Sequence, residues 1–150
     1  MKKVVFSTLA LVFAMFLFSS CGGNVEKDIV GKWKIETADL SNIDELVAEI
    51  AESFGLSDAD IEEMKKEMKD GMYDEFVGQT IEFVEDHTVI SPDSEGEWSY
   101  DSEKNAIVIK EGDMSYQLLV DKLSGDKFEG TMVVSDSGMD FKVVMTMSRQ

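Results

Sequence analysis

Between residues 79 and 148 the chain repeats one pattern seven times: a short run in which apolar and polar side chains alternate, followed by a tight polar connection. The runs span 79–84, 88–90, 97–101, 106–110, 114–120, 127–134 and 139–148. Alternation with period two places apolar side chains on one face of an extended segment, as a half-buried strand requires. Connections such as Ser91-Pro92-Asp93-Ser94, Glu111-Gly112-Asp113 and Ser124-Gly125-Asp126 are rich in residues that tolerate turn conformations. They are too short to hold crossover helices, so neighbouring strands must pair antiparallel.

The faces are consistent along the whole stretch. Ile81, Phe83, Trp98 and Tyr100 share the predicted apolar side, as do Ile107, Ile109, Met114, Tyr116, Leu118 and Val120. Phe128, Met132 and Val134 continue it, followed by Phe141, Val143, Met145 and Met147. An earlier segment, 29–37, adds a further strand with Gly31, Trp33 and Ile35 opposite Lys32, Lys34 and Glu36. Eight strands with one apolar face bury it by curling into a closed up-and-down barrel, which also removes exposed edges. A sheet wrapped around a pair of helices is the competing arrangement.

Those helices are predicted between the first and second strands. Ser41 or Asn42 can cap a helix whose stripe is Ile43, Leu46, Val47, Ile50, Ala51 and Phe54, and Gly55 can end it. Ser57 and Asp60 have the spacing of a capping box, and Ile61, Met64, Met68 and Met72 continue a second stripe to Gly71 or beyond. The methionines are read as core contacts rather than a soft-metal site, because no His or Cys stands beside them.

The amino-terminal segment carries a different message. Lys2 and Lys3 precede an apolar run over residues 4–18, and small Ser19 and Ser20 precede Cys21. This is the three-part layout of an export signal. The apolar run, about fifteen residues, falls short of the roughly twenty needed to span a bilayer core as a helix. Leu17-Phe18-Ser19-Ser20-Cys21 resembles the lipobox of bacterial lipoproteins, with Phe18 where the motif usually has Leu, Val or Ile. That resemblance implies a lipidated Cys21 as the mature amino terminus. Each buried acyl methylene contributes about 0.8 kcal/mol, so two or more chains hold a protein durably at a membrane. Expected regions are therefore a signal peptide at 1–20, a lipidated flexible tether at 21–28 and a barrel domain at 29–150. The expected location is the cell envelope, at the outer membrane of a Gram-negative bacterium.

The opening Ile29-Val30-Gly31-Lys32-Trp33-Lys34-Ile35 resembles the first strand of the lipocalin and fatty-acid-binding superfamily, whose Gly-x-Trp lies at the barrel base. A helix pair between the first two strands is similar to the fatty-acid-binding layout. The likeness extends more closely to small lipocalin-like lipoproteins. Lipocalins stack a basic residue over that tryptophan, which implies Arg149 packing on Trp33 as a structural cation–π contact. The tyrosine partner that fatty-acid-binding proteins use to hold a carboxylate is missing beside Arg149, so that headgroup site is not carried over.

Charge narrows the partners. The chain has 31 acidic and 14 basic residues, a net charge of −17 that becomes −19 once Lys2 and Lys3 leave with the signal. Nucleic acid and anionic lipid surfaces are poor partners for such a chain. Catalysis finds no foothold either. Cys21 is the only cysteine and is committed to lipid, and His87, the only histidine, sits in an acidic turn. Asp93-Ser94-Glu95-Gly96-Glu97 and Asp136-Ser137-Gly138-Met139-Asp140 lack the twelve-residue calcium loop. The chain is accordingly expected to be a monomeric, non-enzymatic protein without metal or cofactor. The leading expectation is a small hydrophobic ligand held in the barrel, facing Trp33, Ile35, Phe83, Trp98, Tyr100, Tyr116, Phe128 and Phe141. The alternative is a structural or interaction module binding a protein or glycan through an exposed patch or an uncovered strand edge.

Overall fold

The structure is a computed structural model and describes residues 24–136 and 138–150. The predicted signal peptide and Cys21 lie outside the described residues. A short helix α1 (Val25–Asp28) precedes strand β1 (Gly31–Leu40), and helices α2 (Ile43–Phe54) and α3 (Asp58–Phe76) follow. Then come β2 (Thr80–Phe83), β3 (Thr88–Ile90), β4 (Glu95–Asp101), β5 (Ala106–Glu111), β6 (Met114–Ser124), β7 (Lys127–Asp136) and β8 (Met139–Arg149). Each strand pairs antiparallel with its sequence neighbours, and β8 returns to β1, closing an eight-stranded barrel in chain order. The fold is mainly β, with the helix pair between β1 and β2.

The alternation predicted from sequence holds because the apolar face turns inward. Phe83, Trp98, Ile107, Ile109, Leu118, Val120, Phe128, Val143, Met145 and Met147 are all buried in one core. Two bulges explain why β1 and β6 run past the predicted ends. In β1 the register shifts between Ile35 and Thr37, so inward positions pass from Trp33 and Ile35 to Ala38 and Leu40. In β6 the shift between Val120 and Lys122 brings Leu123 against the core. An extra residue in one strand flips the facing parity beyond it.

The predicted helix ends are found, except that Asn42, at the N-cap position of α2, makes no side-chain capping bond. Gly55 ends α2 in the left-handed conformation with φ of 65°. Ser57 and Asp60 form a complete capping box at the start of α3. Ile43, Leu46 and Val47 are buried, and Met64, Met68 and Met72 pack partly buried against the core. Asn42 fixes the entry to α2. Its side-chain amide donates to the Asp140 carbonyl at 2.7 Å and accepts from the Lys142 amide at 3.0 Å.

Three expectations need correction. Residues 25–28, expected as flexible tether, form α1, and Ile29 directly after it is fully buried. The carbonyl of Ile29 accepts a 2.7 Å hydrogen bond from the Trp33 indole, so this segment plugs one end of the barrel. Phe54, placed on the α2 stripe, is 77% exposed because it falls in the last turn, past the point where α2 leaves the barrel. Met114, placed inward among the core residues, does line the hollow at the open end but is 62% exposed there, where it begins β6 opposite Glu111.

Candidate functional site

The barrel interior divides by height. At the end reached by the amino terminus, large rings fill it. Trp33 and Phe128 lie 6.1 Å apart between ring centroids, and Phe83 meets Trp98 edge-on at 5.7 Å. The two tryptophans are fixed at their polar edges as well, Trp98 donating to the Val84 carbonyl at 3.0 Å. Arg149 seals this end. Its guanidinium carbon lies 4.4 Å from the Trp33 ring, and its Nη1 and Nη2 donate to the Val30 and Asp28 carbonyls at 2.7 and 2.6 Å. The cation–π contact expected from sequence is present.

Toward the opposite end the inward side chains shrink, and a cavity of about 410 Å³ opens between the last turn of α3 and the turns joining β3 to β4 and β5 to β6. Its walls are mostly apolar: Ile35, Ile81, Val89, Ile109, Met132 and Val134, with Phe76 from α3. Polar groups gather at the rim, where Glu75, Asp93 and Glu111 bring carboxylates and Gln79, Ser91 and Ser94 bring neutral groups. The Tyr116 hydroxyl donates to Glu111 Oε2, and Ser91 Oγ stands 3.3 Å from Glu111 Oε1. Burial first, and the hydrogen bond to Glu111 second, push the Tyr116 phenol up to about 12. The phenol is therefore a fixed donor at neutral pH, holding the carboxylate at the mouth.

Of the eight side chains expected to face a ligand, Ile35 and Tyr116 line this cavity. Trp33, Phe83, Trp98 and Phe128 belong to the filled end. Tyr100 is directed to the closed end, where its hydroxyl donates to Asn105 Oδ1 at 2.7 Å. Phe141 packs partly buried against the core without lining the cavity. The residues that reasoning from sequence missed are the rim groups, above all Glu111, which in the sequence looks like an ordinary acidic turn residue. The inward walls Ile109, Met132 and Val134 carried the right alternation signal, but nothing marked their height in the barrel.

A second, broader hollow of about 600 Å³ lies outside the closed end, between α1 and the β2–β3 turn. It is bordered by Asn24, Glu26, Lys27, Val30, Glu85, His87 and Trp98. Although larger, it is bordered mainly by polar or charged residues, with Val30 and Trp98 as its apolar side chains, so it lacks the continuous apolar wall of the other hollow. His87 there is exposed with φ of 69°, as suits a turn residue, and its ring stacks 4.8 Å from that of Trp98. Its Nδ1 lies 3.1 Å from the Trp98 carbonyl, a contact that the Nδ1–H tautomer makes as donor.

Among the described residues no three His, Cys, Asp or Glu side chains form a metal-binding group, and no helix is long and apolar enough to cross a membrane. No family model matches the chain, and no curated protein or solved structure matches it.

Proposed function

We propose that this protein is a lipid-anchored envelope lipoprotein with a lipocalin-like barrel, and that it binds one small hydrophobic ligand in the cavity at the open end. The observation that carries the reading is the mostly apolar, half-open cavity of about 410 Å³, walled by inward side chains of the barrel and bordered by a polar rim. Small-molecule sites have this build: a concavity of about 300–1,000 Å³ lined by apolar side chains with a few placed polar groups. The Gly31-x-Trp33 opening and the Arg149 stack support the lipocalin-like part of the reading. Export and lipidation rest on the leader and on the Leu17–Cys21 resemblance.

The alternative, an interaction module, needs an uncovered edge or a contiguous exposed apolar patch. Each of the eight strands has a strand partner on both sides, and where β1 runs past the reach of β2 it is contacted by α3, which favours the ligand reading. Topology adds an orientation. Because α1 lies at the closed end, a lipid on Cys21 holds that end toward the bilayer, with at most about 14 Å of extended chain between Cys21 and Val25. The mouth then faces away from the anchoring membrane.

Titration with the neutral fluorophore N-phenyl-1-naphthylamine tests the proposal. Saturable one-to-one enhancement is expected for the wild type, and its loss in Val134→Trp, which fills the cavity, with the denaturant midpoint kept. Equal binding by both proteins would place the fluorophore elsewhere and reject the cavity as the site.

A further inference from the structure

The cavity's charged groups have one electrical sign. Glu75, Asp93 and Glu111 stand on its lining, and no lysine, arginine or histidine does among the described residues. We infer that the ligand is a single-chain amphiphile with a cationic head, whose tail occupies the apolar interior and whose ammonium group is received by Glu111 at the mouth. This rests on the cavity being the binding site proposed above, and it names the chemical class that site selects.

Three observations combine. First, the walls reject charge at depth, since Ile35, Ile81, Val89, Ile109, Met132 and Val134 offer nothing to pair with it. A charged group must therefore stay at the rim. Second, one rim carboxylate is fixed in place by hydrogen bonds. Glu111 is held by the Tyr116 hydroxyl on one oxygen and stands beside Ser91 on the other, yet a carboxylate accepts about four hydrogen bonds, so it keeps capacity for a further donor. Third, an anionic head would meet Glu111 with Glu75 and Asp93 nearby and find no cation to offset them. Arg149, the side chain best suited to hold a carboxylate, is committed to Trp33 at the opposite end. The preference is thus opposite to that of a fatty-acid carrier built on a similar barrel.

Competition against N-phenyl-1-naphthylamine reads this directly, using protein purified from the expressed full chain and three ligands with the same tail. These are decylammonium, decanol and decanoate at neutral pH, each below its micellar concentration. Decylammonium is expected to displace the fluorophore at a concentration about tenfold lower than decanoate, the scale of one charge-assisted hydrogen bond at a partly wet site, with decanol between them. Glu111→Gln, which keeps the shape and removes the charge while exchanging one acceptor oxygen for a donor, is expected to bring the two charged ligands close together and to leave decanol unchanged.

Decanoate binding as tightly as decylammonium in the wild type would overturn the charge preference while leaving the cavity reading intact, provided decanol still competes. Failure of the fluorophore and all three ligands to bind would overturn both. A wild-type preference that survives Glu111→Gln but disappears in high salt would assign it to the protein's overall negative field, and would overturn the role of Glu111 as receptor for the ammonium group.

Discussion

Replacing Arg149 tests the closure of the barrel, because one side chain there joins three elements of the chain. Its guanidinium stacks on Trp33 of β1, and two of its nitrogens donate to the carbonyls of Val30 and Asp28, which leave α1 for β1. In Arg149→Ala the stack is lost, at about 1 kcal/mol for a partly desolvated cation–π contact. The two short charge-assisted bonds add about 1 kcal/mol each, a value below the usual range because water can reach the freed carbonyls. The sum is about 3 kcal/mol, or a fall in Tm of about 10 °C for a domain of this size. Arg149→Lys keeps a cation near the ring but cannot reach both carbonyls, so it should recover about a third to a half of the loss. Guanidinium unfolding followed by tryptophan emission and by circular dichroism gives both free energies. An alanine variant within about 0.5 kcal/mol of wild type, or a lysine variant indistinguishable from the alanine one, would refute the assignment of these energies.

The core and the cavity mouth give two further tests. At Gly130 a Cβ would lie 2.7 Å from the Leu119 carbonyl oxygen and 2.8 Å from the Phe128 ring, so Gly130→Ala should cost about 2 kcal/mol by overpacking, measured as a lower denaturant midpoint. An ultraviolet titration should show one tyrosinate forming only near pH 12, and Tyr116→Phe should abolish that step. Since the folded pKa of Tyr116 lies above the unfolded value, its contribution to stability is complete below about pH 10 and is lost as pH rises through about 12. The Phe variant should therefore lose part of the wild type's alkaline stability gradient in that interval.

Much of the architecture was legible because its determinants are local. Period two separates inside from outside at every strand, and short connections leave antiparallel neighbours as the only pairing. Gly55, Ser57 and Asp60 act within one helical turn, so their caps can be read without tertiary information. The bulges in β1 and β6 escaped because each is a property of two strands in register. Taken alone, the alternation of β1 stops at Thr37, whereas pairing with β8 shows that it resumes in the opposite parity at Ala38 and Leu40. Residues 25–28 were misassigned because small and polar composition describes tethers and exposed helical turns equally well. Their strongest tie comes from far along the chain, the Arg149 guanidinium on the Asp28 carbonyl, and a local one adds to it, the Trp33 indole on the Ile29 carbonyl.

The site was harder to read because alternation reports which face a side chain occupies but not how far along the barrel it lies. Height depends on register, and register joins residues far apart in the chain. Phe128 pairs with Met147 while Val134 pairs with Phe141, so two inward residues of one strand sit near opposite ends. Once the strands are aligned, a size gradient emerges. Trp33, Phe83, Trp98 and Phe128 close one end, and Ile35, Val89, Ile109 and Val134 leave space at the other. The bulky aromatics that sequence reasoning assigned to ligand contact instead pack on one another at the closed end, so on the proposed reading they limit how deep a guest could reach. Trp33, Phe83 and Phe128 are fully buried there, and the open space lies in the half bordered by Glu111. If the cavity is the binding site, as proposed, the expected determinants of selectivity pass from the aromatic rings to a rim of turn residues, whose charge would discriminate between amphiphiles sharing one tail.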